Sequence, residues 1–484
     1  MIIMRGSRQS LFARRNWLAV IIATMGFVCA SQAATFYTLA TNGPASNRLC
    51  IIFLSEGYTS AEAGQFLTDC TKAMNAYFGG GAYTGQEPFV EYSNYFNVYA
   101  VFTNSAQSGS DHPLFSTTST TAFNSTYDSN YNYVITIPTN ATGQGLVDGF
   151  ITNSSAPWSN GRYKLPVMLV NEPFYEGGSG GLTTIASTGG NFQGILVHES
   201  GHVLAGLGDE YEASATGFDF SGLPAEPNTT TNTSFATIPW KLWIDTNSTP
   251  IPTPNDDAYY SNVGLFEGAH YHVTNWYRPK LNCRMRSVST GIPFCEVCRE
   301  ALVKTFYSKL KGFDTPSPSN SAVTLTTTQT ATFSVSPLQP LTHALSIQWQ
   351  TNGINIPDAT NSSFLFDPAS VTNGNYVLRA VVHDATDWVR NDPTNFLFST
   401  NTWNVTVAVP QLWLESPQPL ANGLFRFTVR GTGVTNFSIK ASTNFSAGWT
   451  SISTNALSGG LFNFTNGGLT NIPERYYRAV APPQ

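Results

Sequence analysis

The sequence predicts an α/β domain at the amino end, followed by two all-β modules. Three observations carry this expectation. Before residue 310, short apolar runs alternate with longer stretches of helical spacing, the strand–helix–strand order of an α/β layer. Thr315-Pro-Ser-Pro-Ser-Asn-Ser321 is a linker by composition. Beyond it the runs are short and alternating, with Asn352-Gly353 and Asn373-Gly374 marking tight turns.

Arg48 to Leu54 reads as the first buried strand. Thr59-Ser60 can cap a helix from about Ala61 to Phe78, where Phe66, Cys70, Met74 and Tyr77 recur at helical spacing. Tyr95 to Phe102, Tyr133 to Pro138 and Leu165 to Val170 read as further strands. His112 falls in a long Ser-, Thr- and Asn-rich excursion and reads as a loop histidine. Gly177-Gly-Ser-Gly-Gly181 is followed by no lysine suited to a phosphate loop. It reads instead as a turn into an edge strand, Leu182 to Ser187. An apolar helix then carries the motif treated below. Residues 212–262 are mostly loop, with Trp240 and Trp243 packing it. Cys295 to Leu310 closes the domain as a helix. Thr330 to Val335, Ser346 to Gln350 and Tyr376 to Val382 are strands of an immunoglobulin-like sandwich. Gly423 to Val429, Phe437 to Ala441 and Arg475 to Ala479 are strands of the last module. His343 and His383 read as structural. The expected boundaries are a leader at 1–33, the α/β domain at 34–313, the sandwich at 314–409 and the small β module at 410–484.

Charged residues make up 11 % of the 484 positions, aromatics 13 %, and the net charge is −6. No basic footprint for nucleic acid exists in such a chain. Arg5, Arg8, Arg14 and Arg15 precede an apolar run from Trp17 to Ala30 and a small-x-small site, Ser31-Gln32-Ala33. That is the pattern of a secretory signal peptide, too short to span a bilayer. No later stretch reads as a transmembrane segment, so the expected location is secreted, periplasmic or at the cell surface. Removal of the leader takes Cys29 and leaves Cys50, Cys70, Cys283, Cys295 and Cys298. The odd number predicts a free thiol or an intermolecular bond. A disulfide among Cys283, Cys295 and Cys298 is expected in preference to half of a zinc site, because no second C-x-x-C occurs. Cys50 with Cys70 is a further candidate pair.

The chemistry-bearing stretch is His198-Glu-Ser-Gly-His202. Residues four apart on a helix share a face, so His198 and His202 can offer imidazole nitrogens to one metal ion. Glu199 can reach a metal-bound water. Gly201 costs up to about 1 kcal/mol in a helix interior, which points to close packing against another element. Gly206 is the expected helix stop. A catalytic zinc needs a third protein ligand and an open position. Metzincin peptidases read H-E-x-x-H-x-x-G-x-x-H, with that ligand just past the glycine turn. Here one residue more separates His202 from the glycine, and the interval from Gly206 leads to Asp209. Asp209 is the expected third ligand. Glu210 is the alternative, because one inserted residue rotates the turn, and Glu267 follows if Asp209 is not a ligand. His270 and His272, two apart, share a face in a strand and are candidates for lining the cleft.

The run from His198 to Tyr211 resembles the signature of the IgA-peptidase family of secreted zinc metallopeptidases. Leu54 to Tyr58, Pro88 to Ala100, Gly264 to Ala269, Tyr277 to Arg286 and Phe294 to Leu302 are similar to other blocks of that family, so the resemblance spans roughly residues 45–310. It implies a metzincin-like fold, a Zn²⁺ cofactor and endopeptidase action on a protein or peptide substrate. It also places an edge strand above the metal for extended substrate, and Met285 in the methionine turn beneath it. A tyrosine often stands two residues after that methionine, but here it is Ser287. Tyr211, Tyr277 and Arg286 are therefore the candidates for stabilising an oxyanion. The domain is expected to begin at about Thr35, without the preceding domain of many relatives, so specificity for immunoglobulin hinges is not carried over.

The resulting expectation is a secreted zinc endopeptidase in which His198, His202 and Asp209 hold the metal and Glu199 activates water. The competing class is a narrow or inactive peptidase-like protein that binds a glycan or cell surface through its C-terminal β modules. Retention of Glu199 weighs against it.

Overall fold

The computed structural model describes residues 22–24, 28–29, 32–81, 83–130, 132, 134–174, 177–180, 183–190, 192–212, 225–327, 329–467 and 474–481. Most of the expected leader lies outside these residues. Of its remainder, Ile22–Thr24 pairs antiparallel with the chain from Phe36 to Thr38. No described helix is long and apolar enough to cross a membrane.

The chain forms two compact units. The first takes Met1–Gly312 and adds Leu338–Leu345 and Asp384–Leu397. The second holds Phe313–Pro337, Ser346–His383 and Phe398–Gln484.

In the first unit, strands β1 (Thr35–Ala40), β2 (Leu49–Glu56), β3 (Phe96–Phe102), β4 (Tyr163–Val170), β5 (Gly177–Gly180) and β6 (Thr183–Ser187) form one sheet. Their order is β1-β3-β2-β4-β6-β5. β3, β2, β4 and β6 run parallel, while β1 and β5 are antiparallel to their neighbours. Parallel neighbours need crossover connections, and helix α1 (Ala63–Phe78) supplies the one from β2 to β3. All eight residues of β2 are buried, as expected for a strand covered on both faces. Leu49, Ile51 and Phe53 share a core with α1, α3 (Phe192–Ala205) and α4 (Glu296–Lys309). Cys50, Ile52 and Leu54 share the opposite core with α2 (Gln144–Ile151).

That alternation overturns the Cys50–Cys70 pairing. Cys50 points into one core and Cys70, on α1, into the other. No disulfide joins the five cysteines from Cys50 to Cys298, all of them buried and free. The edge strand is also corrected. Thr183–Ser187 lies inside the sheet, and the glycine-rich Gly177–Gly180 forms the edge beside it. Leu182 lies outside the described residues.

Beyond α3, β7 (Phe266–Ala269) and β8 (His272–Arg278) make a hairpin whose turn places His270 at φ 53° and Tyr271 at φ 63°. His343, read as structural, does belong to the first unit. Its ring bridges Glu91 (2.7 Å) and Asp384 (2.8 Å). Asp384 also accepts from the Tyr92 and Tyr307 hydroxyls, each at 2.7 Å.

The second unit is all β. Five strands, with Phe398–Ala408 and Gly374–His383 at their centre, form one sheet, and Ala331–Ser334 pairs with Ser363–Phe366. Trp349, Trp403 and Phe333 pack at ring distances of 5.2–5.7 Å. Two three-stranded sheets follow, around Phe427, Val429, Phe437 and Ile439.

Candidate metal centre

α3 begins at Phe192 and ends against Gly206, whose φ of 60° is the left-handed stop that a side chain would resist. Gly206 N–H closes the last turn on His202 O at 2.9 Å. Gly201 lies where Met285 passes beneath the helix. A Cβ there would meet Met285 Sδ at 2.9 Å and Phe294 Cε1 at 3.2 Å. Met285 is fully buried. The glycine thus allows the turn around Met285 to approach the helix closely.

One turn apart, His198 and His202 bring their Nε2 atoms to 3.2 Å. Asp209 Oδ1 lies 3.0 Å from the first and 3.3 Å from the second. Each ring turns Nδ1 to a backbone carbonyl, His198 to Arg284 O at 2.9 Å and His202 to Leu207 O at 2.5 Å. A carbonyl only accepts, so each Nδ1 carries the proton and each Nε2 offers a lone pair. Three acceptors therefore face one another in a buried pocket, and Asp209 Oδ1 has no hydrogen-bond donor. Such a cluster is repulsive until a cation enters it. A tetrahedral zinc, with ligands at about 2.0–2.2 Å, sets their spacing at about 3.3–3.5 Å, so the donor set fits.

The electrostatics agree. Burial alone pulls the His202 pKa down, but the hydrogen bond and charge of Asp209, with the charge of Glu199, raise it to about 9. Burial raises the Asp209 pKa, yet the two adjoining imidazoles and their charge hold it well below the usual carboxylate range. The pocket favours positive charge. Glu199 is half-buried, and its charge acts on His202.

Asp209, not Glu210, joins the imidazoles. The two are consecutive in a stretch where Asp209 O accepts from His270 N–H and Glu210 N–H donates to Met285 O, both at 2.8 Å. Their side chains join different clusters. Glu210 faces Cys283, Cys295 and Cys298, and burial raises its pKa to about 8. Glu267 is not in the triad, and its carboxylate accepts from Asn275 N–H at 2.9 Å. His270 and His272 are hairpin residues: His270 binds Glu226 at 2.9 Å and stacks on Trp276 at 4.0 Å, while His272 Nδ1 meets His270 O. His112 is buried, between Asn132 at 2.8 Å and Glu172 at 3.2 Å.

Sequence reasoning missed Tyr271. Its hydroxyl donates to Asp209 Oδ2, and its ring crosses Tyr211 edge-on at 5.3 Å. Tyr211 stacks near His198 at 6.4 Å. Burial and the Asp209 charge raise both phenol pKa values far above normal, so both hydroxyls keep their protons. Arg286 is committed to Glu210 O and Glu212, each at 3.0 Å, and Tyr277 pairs through its backbone with Thr230. Tyr211 is thus the only one of the three oxyanion candidates whose ring lies against the triad among the described residues.

An α/β layer that gathers two imidazoles, a carboxylate and a neighbouring glutamate at one point has the make-up of a metal-dependent hydrolase. Residues 37–262 and 255–306 match the family profile described as IgA Peptidase M64, and the chain belongs to that family. It is therefore a peptidase of the metallopeptidase kind, with protein as its substrate class. No curated protein matches the chain. Among solved structures, fibronectin(III)-like modules of CbhA from Clostridium thermocellum are 10 % identical over 31 % of this chain and 77 % of theirs, with a TM-score of 0.17. A run of titin domains is 15 % identical over 33 % of this chain and 55 % of that one, at 0.18. The apo form of Bacteroides uniformis β-glucuronidase 3 is 8 % identical over 43 % and 28 %, at 0.16.

Proposed function

We propose that the chain is a secreted zinc endopeptidase with a metzincin-like catalytic core, in which His198, His202 and Asp209 hold the metal and Glu199 is the general base. The observation that carries this is the convergence of two Nε2 lone pairs and Asp209 Oδ1 within 3.3 Å, one residue from Glu199. Zinc, when bound, supplies Lewis acidity that brings the pKa of water toward neutrality and polarises a carbonyl. Glu199 takes the proton of the attacking water and returns it to the departing amine nitrogen. Arg284 O and Leu207 O hold the two imidazoles in the Nδ1–H tautomer. Tyr271 orients Asp209, and Tyr211, whose ring lies beside His198, is the favoured candidate to donate toward a developing oxyanion. The edge strand β5 runs beside α3, since a Cβ on Gly177 would be 3.6 Å from Glu199 Cγ. Export follows from the basic and apolar leader, and the amino terminus of secreted material is expected just after Ala33.

The test is cleavage of a mixed peptide library, read by mass spectrometry. Wild type should cut internal bonds. Glu199→Ala should lose at least about 10²-fold in rate while keeping its zinc. Equal cleavage by both would remove Glu199 from the mechanism, and no cleavage by wild type would favour a binding role.

A further inference from the structure

One residue beyond the triad a different donor set converges. The Glu210 carboxylate and the sulfurs of Cys283, Cys295 and Cys298 lie within 4.8 Å of one another. All four side chains are buried, none more than 5 % exposed. Cys283 Sγ is 3.7 Å from Cys298 Sγ, and Glu210 Oε1 is 3.2 Å from Cys298 Sγ and 4.0 Å from Cys295 Sγ. A tetrahedral zinc with sulfur at about 2.3 Å and oxygen at about 2.0–2.2 Å requires S···S near 3.8 Å and S···O near 3.5 Å. The spacing is that of a ligand shell. Glu210 Oε2 is buried with no hydrogen-bond donor.

Cys295 occupies the N-cap position of α4, where helix amides are free. Cys295 N–H donates to Cys283 Sγ at 3.2 Å. A disulfide would consume two sulfurs and leave the third, with a buried carboxylate, unmatched.

We propose that Glu210, Cys283, Cys295 and Cys298 form a second, structural metal site that takes a thiophilic divalent ion, zinc above all. Four protein ligands close the shell and leave no position for substrate. The site ties three segments together: the stretch carrying Asp209, the turn carrying Arg284 and Met285, and the start of α4. Each of the first two segments also serves the catalytic triad, through Asp209 itself and through Arg284 O. The inference stands on its own donor set and does not require the catalytic reading.

The test is metal counting and cobalt spectroscopy on the purified full chain. Two zinc ions per chain are expected. Replacement by Co²⁺ should produce an intense near-ultraviolet thiolate-to-metal band. His198→Ala combined with His202→Ala should lose one ion and keep that band. Cys298→Ser should lose the band. If Cys298→Ser does not fold, wild type and the histidine variant decide the matter alone. One zinc per chain with no thiolate band would overturn the proposal. So would a disulfide among Cys283, Cys295 and Cys298, found by alkylation without reductant.

Discussion

Asp209 carries two demands on one carboxylate. Oδ1 faces both imidazoles, while Oδ2 accepts from Tyr271. A ligand oriented by an outer hydrogen bond loses affinity when that bond is removed, typically about 10–100-fold. Tyr271→Phe is therefore expected to weaken zinc at the triad by about that factor, measured by competition with a chromophoric chelator. Unchanged affinity would mean that the His270 N–H to Asp209 O bond alone positions the carboxylate. Asp209→Ala should release the triad metal and leave the thiolate-to-cobalt band in place, whereas Glu210→Ala should do the reverse. Adjacent acids with separable effects follow from their membership of two different donor clusters.

At the scale of elements, α3 is shaped by what passes under it. Glycine to alanine in an exposed helix position ordinarily stabilises, by up to about 1 kcal/mol. Gly64, near the start of α1, meets nothing within 4 Å of an added Cβ, and Gly64→Ala should be neutral or stabilising. Gly201→Ala should instead destabilise by about 1–3 kcal/mol, because its Cβ lands 2.9 Å from the buried Met285 Sδ. Thermal unfolding of the two variants provides the contrast. A rise in Tm for Gly201→Ala would show that the methionine turn yields freely. The edge strand also belongs to this scale. A run of glycines carries no alternating pattern, so its place at the sheet edge was not legible, whereas the β-branched Thr183–Ile185 stretch was plainly a strand.

At the scale of the molecule, composition placed a boundary at residue 313, yet contacts place Leu338–Leu345 and Asp384–Leu397 with the first unit. Leu338 and Leu397 belong to its core, and Asp384 is fully buried among the Tyr92 and Tyr307 hydroxyls and His343. A chain ending at residue 313 should therefore unfold at lower temperature than one ending at 409, although both contain the whole triad. Asp384→Ala in the full chain should cost about 3 kcal/mol, because buried donors lose their common acceptor. Equal melting of the two truncations would place the boundary back at the linker.

Local chemistry was readable without a structure. His198 and His202 share a face because a helix repeats every 3.6 residues, and Gly206 had to end that helix because few other residues accept its φ. The interval from Gly206 pointed to Asp209 by comparison with the metzincin spacing, with Glu210 as the alternative. The repeating hydrophobic pattern likewise set the order of strands and helices. Tertiary structure decided whatever depends on segments far apart in sequence. Only packing brings Cys283 to the start of α4, Tyr271 to Asp209 and Asp384 to Tyr92. It also separates Cys50 from Cys70, because alternation along β2 sends one into each core. Such pairings rest on how faces are buried against one another, and no interval along the chain encodes them.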